Sequence, residues 1–184
     1  MKQHILPAIR LTIFSILFFC GAYSLLILGI AQFEASHGKG KTLTANGRVL
    51  GFALVGQKFD QDKYFWTRPS AAGYNAAGSA GSNKGPSNPE YLNEVKGRID
   101  SFLAHNPGVE KNQVPAELVT ASGSGLDPDL SPAAAKIQVK RIAKVRNLDE
   151  AKLNSLVENM IQKPVLGRPH VNVLELNLRL DELK

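Results

Sequence analysis

The stretch LTIFSILFFCGAYSLLILGIA, residues 11–31, contains no charged side chain and decides how the rest of the chain is organised. Arg10 precedes it, and Glu34 follows it within three residues. A helix of this length, rising about 1.5 Å per residue, matches the roughly 30 Å hydrocarbon core of a bilayer. We therefore predict a transmembrane helix over residues 11–32.

Two other interpretations fit part of this stretch. A buried core helix can be apolar, but it seldom runs so long without a polar face. A cleaved signal peptide also begins with basic residues such as Lys2 and Arg10, yet its apolar core is usually about 7–15 residues long and ends in a small-x-small site. Gly29-Ile30-Ala31 matches that site weakly, so an uncleaved signal anchor is favoured.

The remainder of the chain has the composition of one small domain. About 150 residues follow the helix, enough for a single hydrophobic core. They include 20 of the 22 basic residues and all 16 acidic ones, a net charge of +4 that is too small for a nucleic-acid interface. The single cysteine, Cys20, lies in the helix, so the domain has no disulfide, cysteine metal site or cysteine nucleophile.

Charge alone does not orient the helix, because Lys39, Lys41 and Arg48 follow it and balance the basic residues before it. A first span with a very short N-terminal tail commonly sends the long C-terminal part across the membrane. We expect a cytoplasmic tail over residues 1–10, a linker over residues 33–46 and an extracytoplasmic domain over residues 47–184.

Hydrophobic periodicity predicts an α+β domain, small and mixed, with long glycine-rich loops. Residues 48–59 are rich in β-branched and aromatic side chains and predict one strand. Asn88-Pro89 supplies the N-cap and first turn of a helix that Asn106-Pro107-Gly108 ends. The apolar positions expected to face the core are Leu92, Val95, Ile99, Phe102 and Leu103.

A further helix is predicted from Ser131-Pro132 to about Arg146. Its apolar face is accompanied by a basic ridge of Lys136, Lys140 and Lys144, spaced four residues apart. We interpret the ridge as a solvated face, with contact to acidic lipid or an acidic partner as the alternative.

Two segments complete the predicted domain. The spacing from Asn147 to Glu150 is that of a capping box and predicts that Asn147 caps another helix. In the last segment, residues 171–181, leucines alternate with polar groups, which indicates a strand, although a short helix could begin near Val173. The alternating residues are Leu174, Leu176, Leu178 and Leu180.

Two long loops are crowded with glycine, proline and small residues: residues 64–91, the first loop, and residues 114–132, the second loop. Such composition is typical of a flexible linker. The first loop, however, also carries Tyr64, Phe65, Trp66, Tyr74 and Tyr91. We therefore predict an ordered loop held by aromatic anchors, and loops of this length are usually functional.

The loops contain no complete catalytic or ligand motif. Residues 78–85, GSAGSNKG, lack the glycine before Lys84 and the Ser or Thr after it that a phosphate loop needs, so an anion nest is only the alternative to ordinary turns. Ser122 and Ser124 lie in no G-x-S-x-G elbow, and we predict instead that Thr120, Ser122 and Asp127 bond their own backbone in consecutive turns. Asp127-Pro-Asp129 lacks the other positions of a calcium loop, and the histidines are not at metal-ligand spacing.

Four stretches resemble one known family: FWTRPSAAGYN (65–75), GSNKGPSNP (81–89), VPAELVTASGSGLDPDLSPAAAKIQVKRIAKVR (114–146) and GRPHVNVLELNLRLD (167–181). In their order and spacing they are similar to KdpC, the small single-span subunit of the bacterial Kdp high-affinity potassium-transporting P-type ATPase. The chain departs from that pattern at Ala80, where the family has glycine, and at Asp129, where it has histidine.

The resemblance implies a non-catalytic accessory subunit of the bacterial inner membrane, with a cytoplasmic N-terminus and a periplasmic domain. The implied partners are the channel-like subunit KdpA, the ATPase subunit KdpB, the small subunit KdpF and membrane lipid, with no nucleic acid. It also implies a catalytic chaperone that raises the ATP affinity of the pump subunit. No cofactor of its own is implied, and ATP would act through the pump subunit.

This topology leaves only residues 1–10 on the ATP side of the membrane, so an effect on ATP affinity would be transmitted through coupled subunits. The alternative is a membrane-tethered periplasmic nucleotide-binding or hydrolytic domain.

We expect the domain to bind a partner protein, since aromatic residues and arginine carry most of the binding energy of protein interfaces. The candidate contact residues are Trp66, Arg68, Pro69, Tyr74, Asn83, Ser122, Ser124 and Asp127.

Overall fold

The chain divides into two compact units, Met1–Lys41 and Thr42–Lys184, in a computed structural model that describes residues 2–45 and 47–183. The first unit is helical and the second is a mixed α/β domain. The predicted α+β class with one N-terminal membrane helix is confirmed.

The first unit is one long helix with a change of hydrogen-bond spacing in its middle. Helix α1 covers Lys2–Ser15, a π-helical segment covers Ile16–Tyr23, and α2 covers Ser24–Ala31. The hydroxyl of Ser24 donates to the carbonyl of Phe19, five residues back, at 3.3 Å. Within the described part of the chain, Gln3–Ala31 is the one helix long and apolar enough to cross a bilayer.

The second unit begins with a hairpin rather than with the single strand predicted over residues 48–59. Strand β1, Thr42–Ala45, pairs antiparallel with β2, Arg48–Phe52. The prediction missed β1 and made β2 too long, because the chain turns after Phe52, whose carbonyl accepts from Val55 N at 3.2 Å. Gly56 then packs on the second loop, where a Cβ would lie 2.5 Å from the carbonyl oxygen of Asp127.

Helix α3, Pro89–His105, begins as predicted, since the Asn88 side chain accepts from Tyr91 N at 3.0 Å. Fewer of its side chains are buried in the core than the sequence predicted. Phe102 is buried, whereas Leu92 is half exposed. The prediction that Leu92 faces the core is therefore wrong.

The helix predicted from Ser131-Pro132 to Arg146 is interrupted after its first turns. Short 3₁₀ turns at Lys111–Gln113 and Ala116–Leu118 and the strand β3, Asp129–Leu130, precede α4, Pro132–Lys136, and α5, Val139–Arg146. Between α4 and α5, Gln138 N donates to Ala135 O, three residues back, at 3.1 Å. This tighter turn points the Gln138 side chain inward, where it is fully buried.

Asn147 ends α5 instead of starting the next helix. It adopts the left-handed conformation (φ 54°), which asparagine tolerates better than most residues. Asp149 is the true cap of α6, Glu150–Asn159, because its carboxylate accepts from Ala151 N at 2.8 Å. The capping box predicted at Asn147 is therefore wrong by two residues.

The last segment is a helix, not a strand. After the two-residue strand β4, Val171–Asn172, which pairs with β3, helix α7 runs over Val173–Glu182. Its N-cap is Asn172, whose side chain accepts from Glu175 N at 3.0 Å. The buried positions follow helical spacing and include Asn177, a polar residue that the leucine alternation assigned to the solvent side.

Helices α4 to α7 and the start of the first loop enclose one hydrophobic core. Helix α6 packs against α4, α5 and α7, and α3 contributes a single fully packed aromatic side chain. The largest fully buried apolar side chains of this core are Phe65, Leu130, Ile142, Leu153, Val157, Val171, Val173, Leu176 and Leu180.

Candidate functional site

The first loop is ordered at its start by a buried asparagine. Phe65 N donates to Asn177 Oδ1 at 2.9 Å, and Asn177 Nδ2 donates to Phe65 O at 3.0 Å. Both residues are almost completely buried. Helix α7 thus holds the start of the loop as a neighbouring strand would, and Phe65, one of the predicted aromatic anchors, is fully buried.

A second buried side-chain amide, that of Gln138, holds Trp66, the next residue of the loop. Trp66 N donates to Gln138 Oε1 at 2.8 Å, and Gln138 Nε2 donates to Ala134 O at 3.0 Å. Arg141 Nη2 also donates to Gln138 Oε1, at 2.7 Å. The junction of α4 and α5 therefore fixes the backbone on which the Trp66 ring is carried.

Arg141 lies beneath that ring as a buried cation. Its guanidinium carbon is 4.6 Å from the centroid of Trp66, and its Nε donates to Asn106 Oδ1 at 3.0 Å. Burial lowers the pKa of Arg141 to about 10, while the Asp62 carboxylate, 3.7 Å away, opposes the change. A buried arginine with these partners is a structural support for the loop.

The loop and helix α3 border a cleft of about 660 Å³. Four of the predicted contact residues line it: Trp66, Arg68, Pro69 and Tyr74. Its opposite wall includes Glu94 and Arg98 of α3. A cleft of this size, mainly apolar with a few polar groups, is the usual form of a binding site.

Arg68 joins the two loops at the edge of this cleft. Its Nη1 lies 2.6 Å from Asp127 Oδ2 in a half-buried ion pair. Asp127 Oδ1 also accepts from Asp129 N at 3.0 Å, so the carboxylate shapes its own turn as well. Among the described residues, the buried Nε of Arg68 has no hydrogen-bond partner.

Tyr74 turns the first loop back toward its start. The residue is in the left-handed conformation (φ 61°), and its hydroxyl lies 2.6 Å from Thr67 Oγ1 and contacts the Arg68 carbonyl. Burial raises the pKa of Tyr74. Its backbone N donates to Ser70 Oγ at 3.0 Å, while the Ser70 hydroxyl donates to Gly125 O at 2.6 Å.

The serines of the second loop maintain its turns. Ser122 is buried and accepts from Gly125 N at 2.9 Å, and Ser124 Oγ accepts from Leu126 N at 3.1 Å. The local backbone bonds predicted for Thr120, Ser122 and Asp127 are confirmed. Gly125 has φ 68°, and a Cβ there would lie 2.7 Å from the carbonyl oxygen of Ala80, so the two loops meet at a glycine contact.

Asn83 and Lys84 lie beyond the cleft in the first loop. Asn83 is exposed, with φ 52°, and does not line the cleft. The Lys84 ammonium is 2.6 Å from Glu94 Oε1. The lysine of the glycine-rich stretch is therefore engaged with helix α3.

The histidines of the domain are dispersed. His105 Nδ1 is 2.8 Å from Asp62 Oδ1 and its ring packs against Trp66, whereas His170 Nε2 is 3.9 Å from Asp129 Oδ2. Over residues 2–45 and 47–183, no group of three or more His, Cys, Asp or Glu side chains could hold a metal ion.

Sequence reasoning missed the groups that position the loop: Gln138, Arg141 and Asn177. A signal existed for the first two, because they are three residues apart and fall among buried apolar positions of α4 and α5. A polar pair on an apolar helical face indicates a buried hydrogen-bond network rather than a solvated face.

The helix and the domain together define a class of protein: a membrane-anchored α+β domain in which an ordered loop and helix α3 border a mainly apolar cleft. A family model described as KdpC, the c chain of the K⁺-transporting ATPase, matches residues 5–182. The chain belongs to this family.

Curated relatives match over the full length. A potassium-transporting ATPase KdpC subunit of Flavobacterium johnsoniae is 55% identical over 182 residues, covering 99% of this chain and 100% of that protein. The protein of the same name from Flavobacterium psychrophilum is 56% identical over 183 residues, with the same coverage. That of Bacteroides fragilis is 49% identical over 186 residues, covering 98% and 97%.

Proposed function

We propose that the chain is the accessory c subunit of an ATP-driven potassium uptake pump and performs no reaction itself. Family membership over residues 5–182 supports the assignment to the pump. The observation that carries the docking role is the fixed cleft, where Trp66, Arg68, Pro69 and Tyr74 lie together on a loop held by buried amides. Rigid aromatic and arginine side chains of this kind form the centres of protein interfaces.

The proposed partners are the other subunits of the complex, KdpA, KdpB and KdpF, in the bacterial inner membrane. In this proposal the N-terminus lies in the cytoplasm and the domain outside, so that the cleft meets the outer face of the channel-like subunit. A preference of this subunit for one conformational state of the pump would raise the ATP affinity of KdpB without any contact with nucleotide.

The test is the double variant Trp66→Ala with Arg68→Ala in the co-expressed complex. We expect loss of co-purification with the channel-like subunit and loss of potassium uptake. The matched control is Lys96→Ala with Arg179→Ala, two exposed positions that do not line the cleft. A variant complex that remains intact and transports normally would exclude this cleft as the docking surface.

Folding and docking defects are separated by a second measurement. Trp66 also packs on Phe102, at 6.2 Å between ring centroids, so the thermal midpoint of each variant is recorded in detergent. Trp66→Phe keeps an aromatic ring on Phe102 and should fold normally. If this variant binds the complex like the parent chain, the indole itself is not an anchor.

The second candidate function is that of a membrane-tethered domain that binds nucleotide through the glycine-rich residues 78–85. Titration of the full chain in detergent with ATP distinguishes this function from the docking role. Saturable binding that is lost in Lys84→Gln would support it. The contact of Lys84 with Glu94 leads us to expect no such binding.

A further inference from the structure

The hairpin of β1 and β2 presents an uncovered apolar surface on its outer side. Phe52 lies on the face opposite Gly51, because side chains alternate along a strand, and a β-bulge next to Gly51 leaves Leu50 without a cross-strand partner. The Gly51 side faces the domain, since a Cβ there would lie 3.5 Å from Leu174 Cδ2. Phe52, on this outer side, is 48% exposed, Leu50 at the bulge is 43% exposed, and Leu54, just after the strand, is 78% exposed.

Nothing in the described domain covers this surface. In the described residues β1 and β2 pair only with each other, and Val49 near the turn is also 64% exposed. A two-stranded hairpin is marginally stable on its own. Contiguous exposed apolar side chains mark an interaction site, whereas isolated ones do not.

The charge of the chain is concentrated around the same hairpin. Residues 35–59 contain no acidic residue and four basic ones, Lys39, Lys41, Arg48 and Lys58. Residues 60–184 contain 16 basic and 15 acidic residues and are therefore nearly neutral. Lys58 is paired with Asp60 at 2.8 Å, so the basic residues on and before the hairpin that matter here are Lys39, Lys41 and Arg48.

The hairpin is also the first element after the membrane helix. Residues 32–41 separate the end of α2 from Thr42, and fully extended they would reach roughly 35 Å. Successive turns shorten this segment, since Glu34 N donates to Ala31 O at 3.3 Å and His37 N to Glu34 O at 2.8 Å. The tether to the bilayer is short.

We propose that the hairpin is a membrane-interface element that binds anionic lipid. Leu50, Phe52 and Leu54 enter the boundary between headgroups and acyl chains, while Arg48 extends to the lipid phosphates. Basic residues next to an apolar surface gain affinity from each anionic headgroup they approach. The proposal does not depend on the pump assignment or on which leaflet the domain faces.

The experiment uses the full chain with Cys20→Ser, which removes its single cysteine. A nitroxide is attached at Leu54→Cys, at Phe52→Cys or, as the matched control, at Ser155→Cys on the exposed side of α6. The labelled chains are reconstituted in vesicles of pure phosphatidylcholine or of equal parts phosphatidylcholine and phosphatidylglycerol. Collision of the label with oxygen, which concentrates in the bilayer, is compared with collision with a water-soluble nickel chelate.

In the anionic vesicles we expect the labels at 52 and 54 to collide with oxygen in preference to the nickel chelate, with a ratio several-fold above that of the label at 155. In pure phosphatidylcholine this difference should shrink. Equal ratios at all three positions in both vesicles would overturn the proposal. If the labels at 52 and 54 are protected from the nickel chelate only after co-reconstitution with other pump subunits, the proposal is also overturned, because a protein then covers the hairpin.

A charge variant tests the lipid selectivity separately. Arg48→Gln, combined with Lys39→Gln, should abolish the preference for phosphatidylglycerol at the label on position 54, while the thermal midpoint stays that of the parent chain. Unchanged lipid dependence in this variant would show that the basic residues do not select the headgroup, contrary to the proposal.

Discussion

Asn177 shows how one side chain can replace a strand partner. Its amide both accepts from and donates to the backbone of Phe65, at 2.9 and 3.0 Å. A buried backbone N–H or C=O without a partner is costly, so a single residue on α7 makes the first loop compatible with the core.

We predict that Asn177→Ala lowers the free energy of unfolding by roughly 2–4 kcal/mol, because two buried backbone groups lose their partners. Thermal unfolding of the full chain in detergent measures the change. Asn154→Ala is the matched control, since Asn154 is exposed and bonds only to Glu150 O of its own helix. A loss no greater than that of the control would show that water replaces the asparagine.

Asp129 makes stability depend on pH. Burial raises its pKa above the ordinary 3.8, and a nearby His170 opposes the change. The folded state therefore binds the proton more tightly than the unfolded state, and stability is lost as pH rises from about 3.8 through the raised value.

We predict that Asp129→Asn raises the melting midpoint at neutral pH, because the variant has no charge to bury. The gain should disappear below the ordinary pKa of the aspartate, where the parent chain is also uncharged. Melting curves of both chains across the acidic range test this. A gain that is independent of pH would attribute the effect to packing.

At the residue scale, the sequence predicted the turn-forming roles of Ser122 and Asp127 because those side chains act on neighbouring backbone. The hydrogen bonds of Gln138 and Asn177 to the first loop could not be predicted in the same way. The partners of these side chains lie 72 and 112 residues away along the chain, so only the tertiary structure identifies those partners.

At the element scale, the final segment explains why alternation misled the prediction. Leucine at every second position imitates a strand, but leucine favours helices, and Asn172 supplies a helix cap. Asn177 looked solvent-facing although it is buried. A polar residue on the buried face of α7 therefore made the helical period of the sequence hard to recognise.

The free energy of unfolding of α7 variants distinguishes a helix from a strand in the final segment. In a strand Leu176 and Leu178 would share one face and cost the same when truncated. In the helix Leu176 is fully buried and Leu178 is not, so we predict that Leu176→Ala costs about 2–5 kcal/mol and Leu178→Ala clearly less. Equal losses in denaturant unfolding would favour the strand.

At the scale of the whole molecule, the membrane helix and the mixed domain were predictable because length, charge and periodicity determine them locally. The cleft was only partly predictable. The sequence indicated Trp66, Arg68 and Tyr74 as neighbours in the chain, but not that α3 forms the opposite wall. The exposed hairpin was missed because β1 is short and follows a glycine-rich linker.

Orientation in the membrane is tested with engineered cysteines in the Cys20→Ser chain. We predict that Lys152→Cys, on the exposed side of α6, reacts with a membrane-impermeant maleimide added outside intact spheroplasts. A cysteine at Gln3 is the matched control and should react only after lysis. Labelling at 152 only after lysis would place the domain in the cytoplasm.

Trp66 is the single tryptophan of the chain, and it lines the cleft with Arg141 beneath it and the His105 ring 5.0 Å away. Tryptophan emission, excited at wavelengths that tyrosine does not absorb, therefore originates at the cleft alone. A partner that displaces water from the indole would shift its spectrum, so occupancy could be followed in real time without any attached dye.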